Sequence, residues 1–345
     1  MTGRHARRPT ISVVIAAYST DRLGQLRDAV ASVLAQTRPA LDLVVVVDHN
    51  PDLLAAARRE PFNATIIPNG SARGASGARN SGARACQGDV IAFLDDDARA
   101  SAGWLAALAR HFEDADVVGV GGQVDPLWEA PRPRWFPPEF DWTIGASYEG
   151  MPRDPARVRN VWSNNMAIRR SAFEAAGGFR EDFGKVGSRS RPEDTDLCLR
   201  ARGAWMYEPA GVAGHWVPRE RARLGYFIRR CFHEGRGKAG LAARDGAGQS
   251  TATERHYTRH VLPRGIARGL RDTVRGDVGG ALRSAAIATG FAVTVAGFAL
   301  GMLACAIAPR QRANGAVGPG IAVPMAPSGG GGSGPLAPSA CRGER

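Results

Sequence analysis

Three adjacent carboxylates, Asp95-Asp96-Asp97, follow the apolar run at residues 90–94. Side by side they repel one another, so placing them at the end of an apolar strand costs free energy unless a cation offsets the charge. On extended backbone, residues i and i+2 point the same way. Asp95 and Asp97 can therefore address one ion while Asp96 faces elsewhere. Mg²⁺ and Mn²⁺ suit such oxygen ligands and bridge diphosphates. A solvated acidic turn or a helix cap accounts for the triplet as well. A second pair, Glu193-Asp194, stands where a helix is expected over 194–201. A carboxylate there serves as a general base or as an N-terminal cap. His215, in Ala213-Gly214-His215-Trp216-Val217, offers a third ligand atom for a metal. The stretch Arg73-Gly74-Ala75-Ser76-Gly77-Ala78-Arg79-Asn80-Ser81-Gly82 puts small residues ahead of a helix. That lets backbone approach an anion, with Arg79 in reach of phosphate. Tight packing of helix on sheet explains the small residues equally well.

These groups need elements to hold them. Residues 11–16, 43–47, 64–67, 90–94 and 117–120 are short apolar runs and predict strands. Helical spacing of apolar residues marks 23–34, 75–86, 104–112 and 171–176. Strands alternating with helices imply an α/β fold with a mostly parallel sheet. In such sheets ligands bind beyond the carboxyl ends of the strands. Asp48 ends the second run and the Asp triplet ends the fourth, so both fall there. Residues 125–160 hold Trp128, Trp135, Trp142 and several prolines with little periodicity. They predict a long irregular segment, of a kind that is often functional.

The chain of 345 residues carries 45 Lys+Arg against 33 Asp+Glu, a formal net charge of +12. Basic residues crowd into 219–283, well after the acidic motifs. No basic stretch interleaves with stacking aromatics as in single-strand binders, so no nucleic-acid partner is expected. The cysteines at 86, 198, 231, 305 and 341 form no CxxC pair, which gives neither a zinc knuckle nor a disulfide framework. A signal peptide is not expected, because the N-terminus passes into a strand-like run. Residues 284–308 carry no charge. As a helix they span about 37 Å, enough for a hydrocarbon core of about 30 Å. A buried or interfacial helix is the alternative. Arg264, Arg268, Arg271 and Arg275 precede the span and favour a catalytic unit on the cytoplasmic face of the cell membrane. The expected division is a tail at 1–9, a catalytic domain at 10–240, a basic juxtamembrane helical region at 241–283, a membrane-crossing helix at 284–308 and a disordered tail at 309–345.

Taken in order, Ala16-Ala17-Tyr18, Asp48, residues 74–80, the Asp triplet, Ser163-Asn164-Asn165-Met166-Ala167, Gly177-Gly178-Phe179, Glu193-Asp194 and His215 resemble glycosyltransferase family 2. The resemblance covers about residues 10–240, and its specificity lies in the order of the pieces. It implies the GT-A fold, a Rossmann-like nucleotide-diphospho-sugar transferase domain, here followed by C-terminal helices. It also implies an inverting enzyme that uses a nucleotide-diphosphate sugar, with UDP expected, and Mn²⁺ or Mg²⁺. Ala17 and Tyr18 would line the nucleotide cleft, Asp48 would contact the base, and Arg79 would lie near the diphosphate. Asp96 would approach the ribose, while Asp95, Asp97 and His215 hold the metal. Asn165, with Asn164, would shape the junction of donor and acceptor, and Asp194 would be the catalytic base. His49 stands where many relatives have Asp or Asn, which leaves the base open.

The segment from Trp135-Phe136-Pro137-Pro138 to Trp142 is similar to prokaryotic members of the family, some of which extend lipid-phosphate-linked sugars. A glycan or a polyprenyl-phosphate-linked sugar is therefore the expected acceptor, as in cell-envelope glycan synthesis. Processive polysaccharide synthases typically carry Gln-x-x-Arg-Trp and several spans, and neither occurs here. A sugar-phosphate nucleotidyltransferase would show a Gly-rich loop with a basic residue after the first strand, where this chain reads Ala-Ala-Tyr-Ser-Thr. A non-catalytic sugar- or membrane-binding module has no need of a base at Glu193-Asp194.

Overall fold

Four strands share a parallel ladder in the order β3-β2-β1-β4: β1 (Ile11–Ala17), β2 (Asp42–Val47), β3 (Thr65–Pro68) and β4 (Val90–Asp95). This computed structural model describes residues 8–182, 184–186, 189–191, 193–245 and 255–307. Most of the expected N-terminal tail and the whole expected tail at 309–345 lie outside the described residues. Helices α1 (Leu23–Leu34), α2 (Pro51–Arg59) and α3 (Ala75–Ala85) make the crossovers. Strands β1, β2 and β4 are apolar along nearly their whole length because helices cover both faces. Leu26, Ala29, Val30 and Val33 form the buried stripe of α1, at helical spacing. Helix α2 is absent from the expectations, since only Leu53 and Ala57 are buried on it. Its start was nonetheless signalled by Asn50, whose side chain caps the Leu53 N–H at 3.0 Å, and by Pro51. Helix α3 lies so close to the sheet that a Cβ on Gly82 would strike Val14.

Beyond Asp95 the pairing changes. The elements are β5 (Ala98–Ala100), α4 (Trp104–Ala109), β6 (Val117–Trp128), β7 (Ala156–Val158), β8 (Asn165–Arg169), α5 (Arg170–Ala175), the hairpin β9 (Gly184–Val186) with β10 (Arg189–Arg191), α6 (Glu193–Arg200) and β11 (Ala204–Val217). Strand β8 runs antiparallel between β4 and β6. Strand β11 is parallel to β6 and antiparallel to β5 and β7. The expected parallel order thus holds up to Asp95, and a mixed sheet follows because β8 enters from the irregular segment rather than from a helical crossover. The β5–β11 ladder matters most. It sets His215 opposite Ala98, and the Trp216 N–H donates to the Asp97 carbonyl at 2.9 Å.

Within the irregular segment, Phe136, Phe140 and Trp135 pack on Phe227 with ring centroids 5.3–5.7 Å apart. Phe227 belongs to the first of three C-terminal helices, α7 (Leu224–Asp245), α8 (Leu262–Val274) and α9 (Val278–Ile307). Helix α9 is long and apolar enough to cross a membrane, and it begins six residues before the expected start at 284. It rests on α7 with backbones almost touching. A Cβ on Gly235 would strike the Thr294 carbonyl, and one on Gly297 would strike the Phe232 carbonyl. Gly297 and Gly301 therefore serve packing inside the chain. Gly297→Leu should force the two helices apart at a cost of about 1–3 kcal/mol. A lowered midpoint of urea unfolding is the expected result, and an unchanged midpoint would remove this seam from the account.

Candidate active site

The carboxyl ends of β1, β2 and β4 form one rim. At its centre lies Arg79, projecting from α3 and almost wholly buried. Its Nη2 donates to Asp95 Oδ1 at 2.7 Å, and its Nη1 stands 3.5 Å from Glu193 Oε1. Nη1 has no hydrogen-bond partner among the described residues. Burial alone would lower the pKa of this guanidinium, but the charges of Asp95, Glu193 and Asp194 outweigh it and the net shift is upward. Arg79 is thus a fixed cation between the Asp triplet and the start of α6, with one donor to spare for an anion.

Asp96 and Asp97 are both buried, and both meet Arg22, with Nη1 2.9 Å from Asp96 Oδ1 and 2.9 Å from Asp97 Oδ2. Burial and the adjacent Asp97 raise the Asp96 pKa to about 7, against the pull of Arg22. Asp97 moves the other way. Burial would raise it, but the His215 hydrogen bond and the charges of His215, Arg22 and Arg221 hold it below the usual carboxylate range. His215 Nε2 lies 3.4 Å from Asp97 Oδ1. One ligand atom each from Asp95, Asp97 and His215 fall within 4.8 Å of one another. Ligands about 2.1 Å from an octahedral ion sit about 3 Å apart when adjacent and about 4.2 Å when opposite, so small side-chain rotations let one ion reach all three. Asp96 Oδ2 and His215 Nδ1 are buried without a hydrogen-bond partner among the described residues, a mark of a polar pocket left incomplete by the protein alone. The donor set fits a divalent cation.

Tyr18 is 55% exposed at the end of β1, and the Arg22 guanidinium lies 4.8 Å from its ring centroid. Asp48 ties down the loop before α3: its Oδ2 accepts from the Gly74 N–H at 2.9 Å and its Oδ1 from Asn69 Nδ2 at 2.7 Å. His49 beside it has φ of 48°, the left-handed region that Asn and Asp adopt most readily among non-glycine residues. Gly74, at φ of 124°, has nothing within 4 Å of a Cβ built on it. Within the small-residue stretch the glycines differ: Gly82 serves packing, while Gly74 fronts open space.

Asp194 lies in the first turn of α6, and its Oδ1 accepts the Thr195 N–H at 2.7 Å. It is partly accessible but surrounded by protein, and this burial raises its pKa, with Glu193 and Glu234 adding to the rise and Arg79 opposing it.

Two expected contacts need correction. Asn165 is 1% exposed, and its amide is engaged on both sides. Its Oδ1 accepts from Trp104 Nε1 at 2.7 Å, and its Nδ2 donates to the Gln123 and Gly211 carbonyls at 2.8 and 2.9 Å. It pins β8 to β6 and β11 and has no reach to a ligand. Its neighbour Asn164 donates to the Gly145 carbonyl at 2.9 Å, and its Oδ1 has no hydrogen-bond partner among the described residues. A Cβ on Gly145 would sit 3.1 Å from His215 Cε1, so Asn164 is on the metal side. The Ala17 side chain points into the core, and its carbonyl accepts the Asp48 N–H, which leaves it only a backbone role. Sequence reasoning missed Arg22 and the pairing of Glu193 with Arg79. Arg22 follows Tyr18 at i+4 in the turn after β1, a place facing the same rim.

Comparison with known proteins matches residues 12–177 to the family model described as Glycosyl transferase family 2. A glucosyl-dolichyl phosphate glucuronosyltransferase of Haloferax volcanii is 32% identical over 243 residues, covering 66% of this chain and 76% of the relative. The succinoglycan biosynthesis protein ExoM of Rhizobium meliloti is 27% identical over 68% of this chain and 75% of its own length. A pre-mycofactocin glycosyltransferase of Mycobacterium tuberculosis is 31% identical but covered over only 37% of its length. Among solved structures, the mannosyltransferase PcManGT of Pyrobaculum calidifontis superimposes with a TM-score of 0.52 at 20% identity, over 88% of this chain and 87% of that one, and so shares its fold.

The split between the two asparagines is directly testable. Asn165→Ala should cost about 3 kcal/mol in unfolding free energy, since it strands an indole N–H and two carbonyls. Asn164→Ala should cost about 1 kcal/mol or less. Equal losses in urea titrations would refute the assignment of Asn165 to the scaffold.

Proposed function

This chain belongs to glycosyltransferase family 2 and is a glycosyltransferase; within the family, we propose that it moves a sugar with inversion from a UDP-sugar to a hydroxyl of a polyprenyl-phosphate-linked sugar or glycan at the cytoplasmic face of the membrane. The observation that carries the proposal is the single buried guanidinium of Arg79 held between Asp95 and the Glu193-Asp194 pair. It links a metal-type cluster and a candidate base through one cation.

In this reading Asp194 takes the proton of the acceptor hydroxyl as the oxygen attacks the anomeric carbon, from the face opposite the leaving diphosphate. One base and one displacement give inversion. Arg79 offers its spare Nη1 to the diphosphate, the exposed ring of Tyr18 faces the base, and Asp48 holds the loop that borders it. Asp96, with its unused oxygen, takes the ribose contact. Asp95, Asp97 and His215 would hold Mn²⁺ or Mg²⁺, which when bound offsets charge on the departing diphosphate. Arg22 keeps Asp96 and Asp97 in position for both tasks. The lipid-linked acceptor is supported by the named activity of the Haloferax relative and by the apolar helix α9. The same name makes UDP-glucuronic acid the first donor to test.

Asp194→Asn should lower kcat by about 10²–10⁴-fold and leave nucleotide affinity intact. Full turnover in that variant would remove Asp194 as the base. The sign of the pH response follows from the raised pKa. A base must be ionised to act, so kcat/KM should fall as pH drops, with the acidic limb nearer neutrality than a free carboxylate would give. A flat profile across that range would contradict the role. Asp97→Ala should abolish Mn²⁺ binding measured calorimetrically, and an unchanged isotherm would sink the metal assignment. Mass spectrometry of a polyprenyl-phosphate-sugar incubated with a donor panel tests the acceptor, and transfer to soluble glycans alone would overturn the lipid-linked reading.

A further inference from the structure

Helix α9 was expected to cross the membrane, yet its packing argues otherwise. It runs parallel to α7 and in contact with it: Phe227 lies against Gly290, Gly235 against Thr294, and Ala239 against Gly301. Helix α7 is not a lipid-compatible neighbour. Arg229 and Arg236 on it are exposed, and His233, Glu234 and Lys238 follow the same stretch. It also packs on the glycosyltransferase domain, since Phe227 on it lies against Phe136 and Phe140. The shallowest crossing open to α9 would use its last 20 or so residues, 288–307, for a hydrocarbon core of about 30 Å. Thr294 would then lie about 9 Å inside the hydrocarbon. Gly235 and Glu234, level with it, would go in too, and so would Arg236, whose backbone lies against Gly301. A crossing therefore costs the burial of several charges on α7.

The rest of α9 is built for lipid of another kind of contact. Phe291, Val295, Phe298 and Met302 form an exposed stripe at i, i+4, i+7 and i+11. Leu270 and Val274 on α8 extend the exposed apolar surface. Beside that stripe, α7 carries the exposed Arg229 and Arg236, with the Arg236 backbone against Gly301. An exposed apolar face beside a basic border suits the interface of an anionic bilayer. We propose that α9 lies in the plane of one leaflet of an anionic phospholipid membrane, with α7 and the active site held at headgroup level, and does not cross. The inference rests on the proposed membrane setting and is independent of the donor and the acceptor.

The full chain carrying Cys305→Ser leaves Cys341 as a reporter, because Cys86, Cys198 and Cys231 are buried. A membrane-impermeant maleimide should label it in inverted membrane vesicles and leave it unlabelled in spheroplasts. Labelling in spheroplasts would mean that the chain crosses and would overturn the proposal. In flotation, the wild-type chain should rise with vesicles rich in phosphatidylglycerol, and Phe291→Glu with Val295→Glu should reduce that by about tenfold or more. Equal flotation of both proteins would overturn the proposal, as would a soluble dimer that the double variant breaks, since a second copy would then cover the stripe. Absence of sugar transfer, with labelling and flotation as expected, would count against the proposed function and leave this inference standing.

Discussion

Charge balance around a buried guanidinium governs this structure. Asp95, Asp96, Asp97, Glu193 and Asp194 converge on a small volume, and no fold tolerates such a set without compensation. Arg79 answers Asp95 and Glu193, Arg22 answers Asp96 and Asp97, and His215 answers Asp97 from the opposite strand. The balance is incomplete. Asp96 Oδ2, His215 Nδ1 and Arg79 Nη1 are buried without hydrogen-bond partners among the described residues. In the proposed reading a ribose hydroxyl, a cation and a phosphate would satisfy these three atoms in turn.

The fold serves this balance through two kinds of pairing. Parallel strands β1, β2 and β4 end on one rim, which gathers Tyr18, Asp48 and the Asp triplet without any long-range accident. The antiparallel return of β11 along β5 is the second device, and it delivers His215 to Asp97 from far along the chain. Asn165 joins the two halves by holding β8 to β6 and β11. Its full set of hydrogen bonds makes it a scaffold residue beside a site residue.

The sequence made much of this legible, and the parts it hid share a cause. Residues 11–16 and 90–94 are apolar enough to be buried on both faces, so β1 and β4 and the acids at their ends could be read directly. Asp194 was found through its place at a helix start, and the same geometry explains why its cap and its chemistry could not be told apart from sequence. Asn164 and Asn165 illustrate the limit. They are identical in type and adjacent in the chain, and strand alternation sends one side chain to the core and the other toward the site. Which is which depends on the register of β8 against β4 and β6, a tertiary fact. Arg22 was hidden for a similar reason, since nothing local tells an exposed turn arginine from one folded back onto carboxylates.

The C-terminal helices show how composition misleads when packing is unknown. Residues 284–308 satisfy every local criterion for a crossing, because length and apolar content are properties of one helix. The constraint against a crossing belongs to a pair. Glycines at 235, 297 and 301 bring α9 so close to α7 that the two share one depth in any membrane. Helix α7 in turn packs on the glycosyltransferase domain through Phe227, which lies against Phe136 and Phe140. An apolar helix bonded in this way to a polar, catalytic neighbour can meet lipid only along its free side. In the proposed reading, the same seam would hold the glycosyltransferase domain at the surface where a lipid-linked hydroxyl arrives. Attachment and acceptor delivery thus become one geometric requirement, met by a glycine seam.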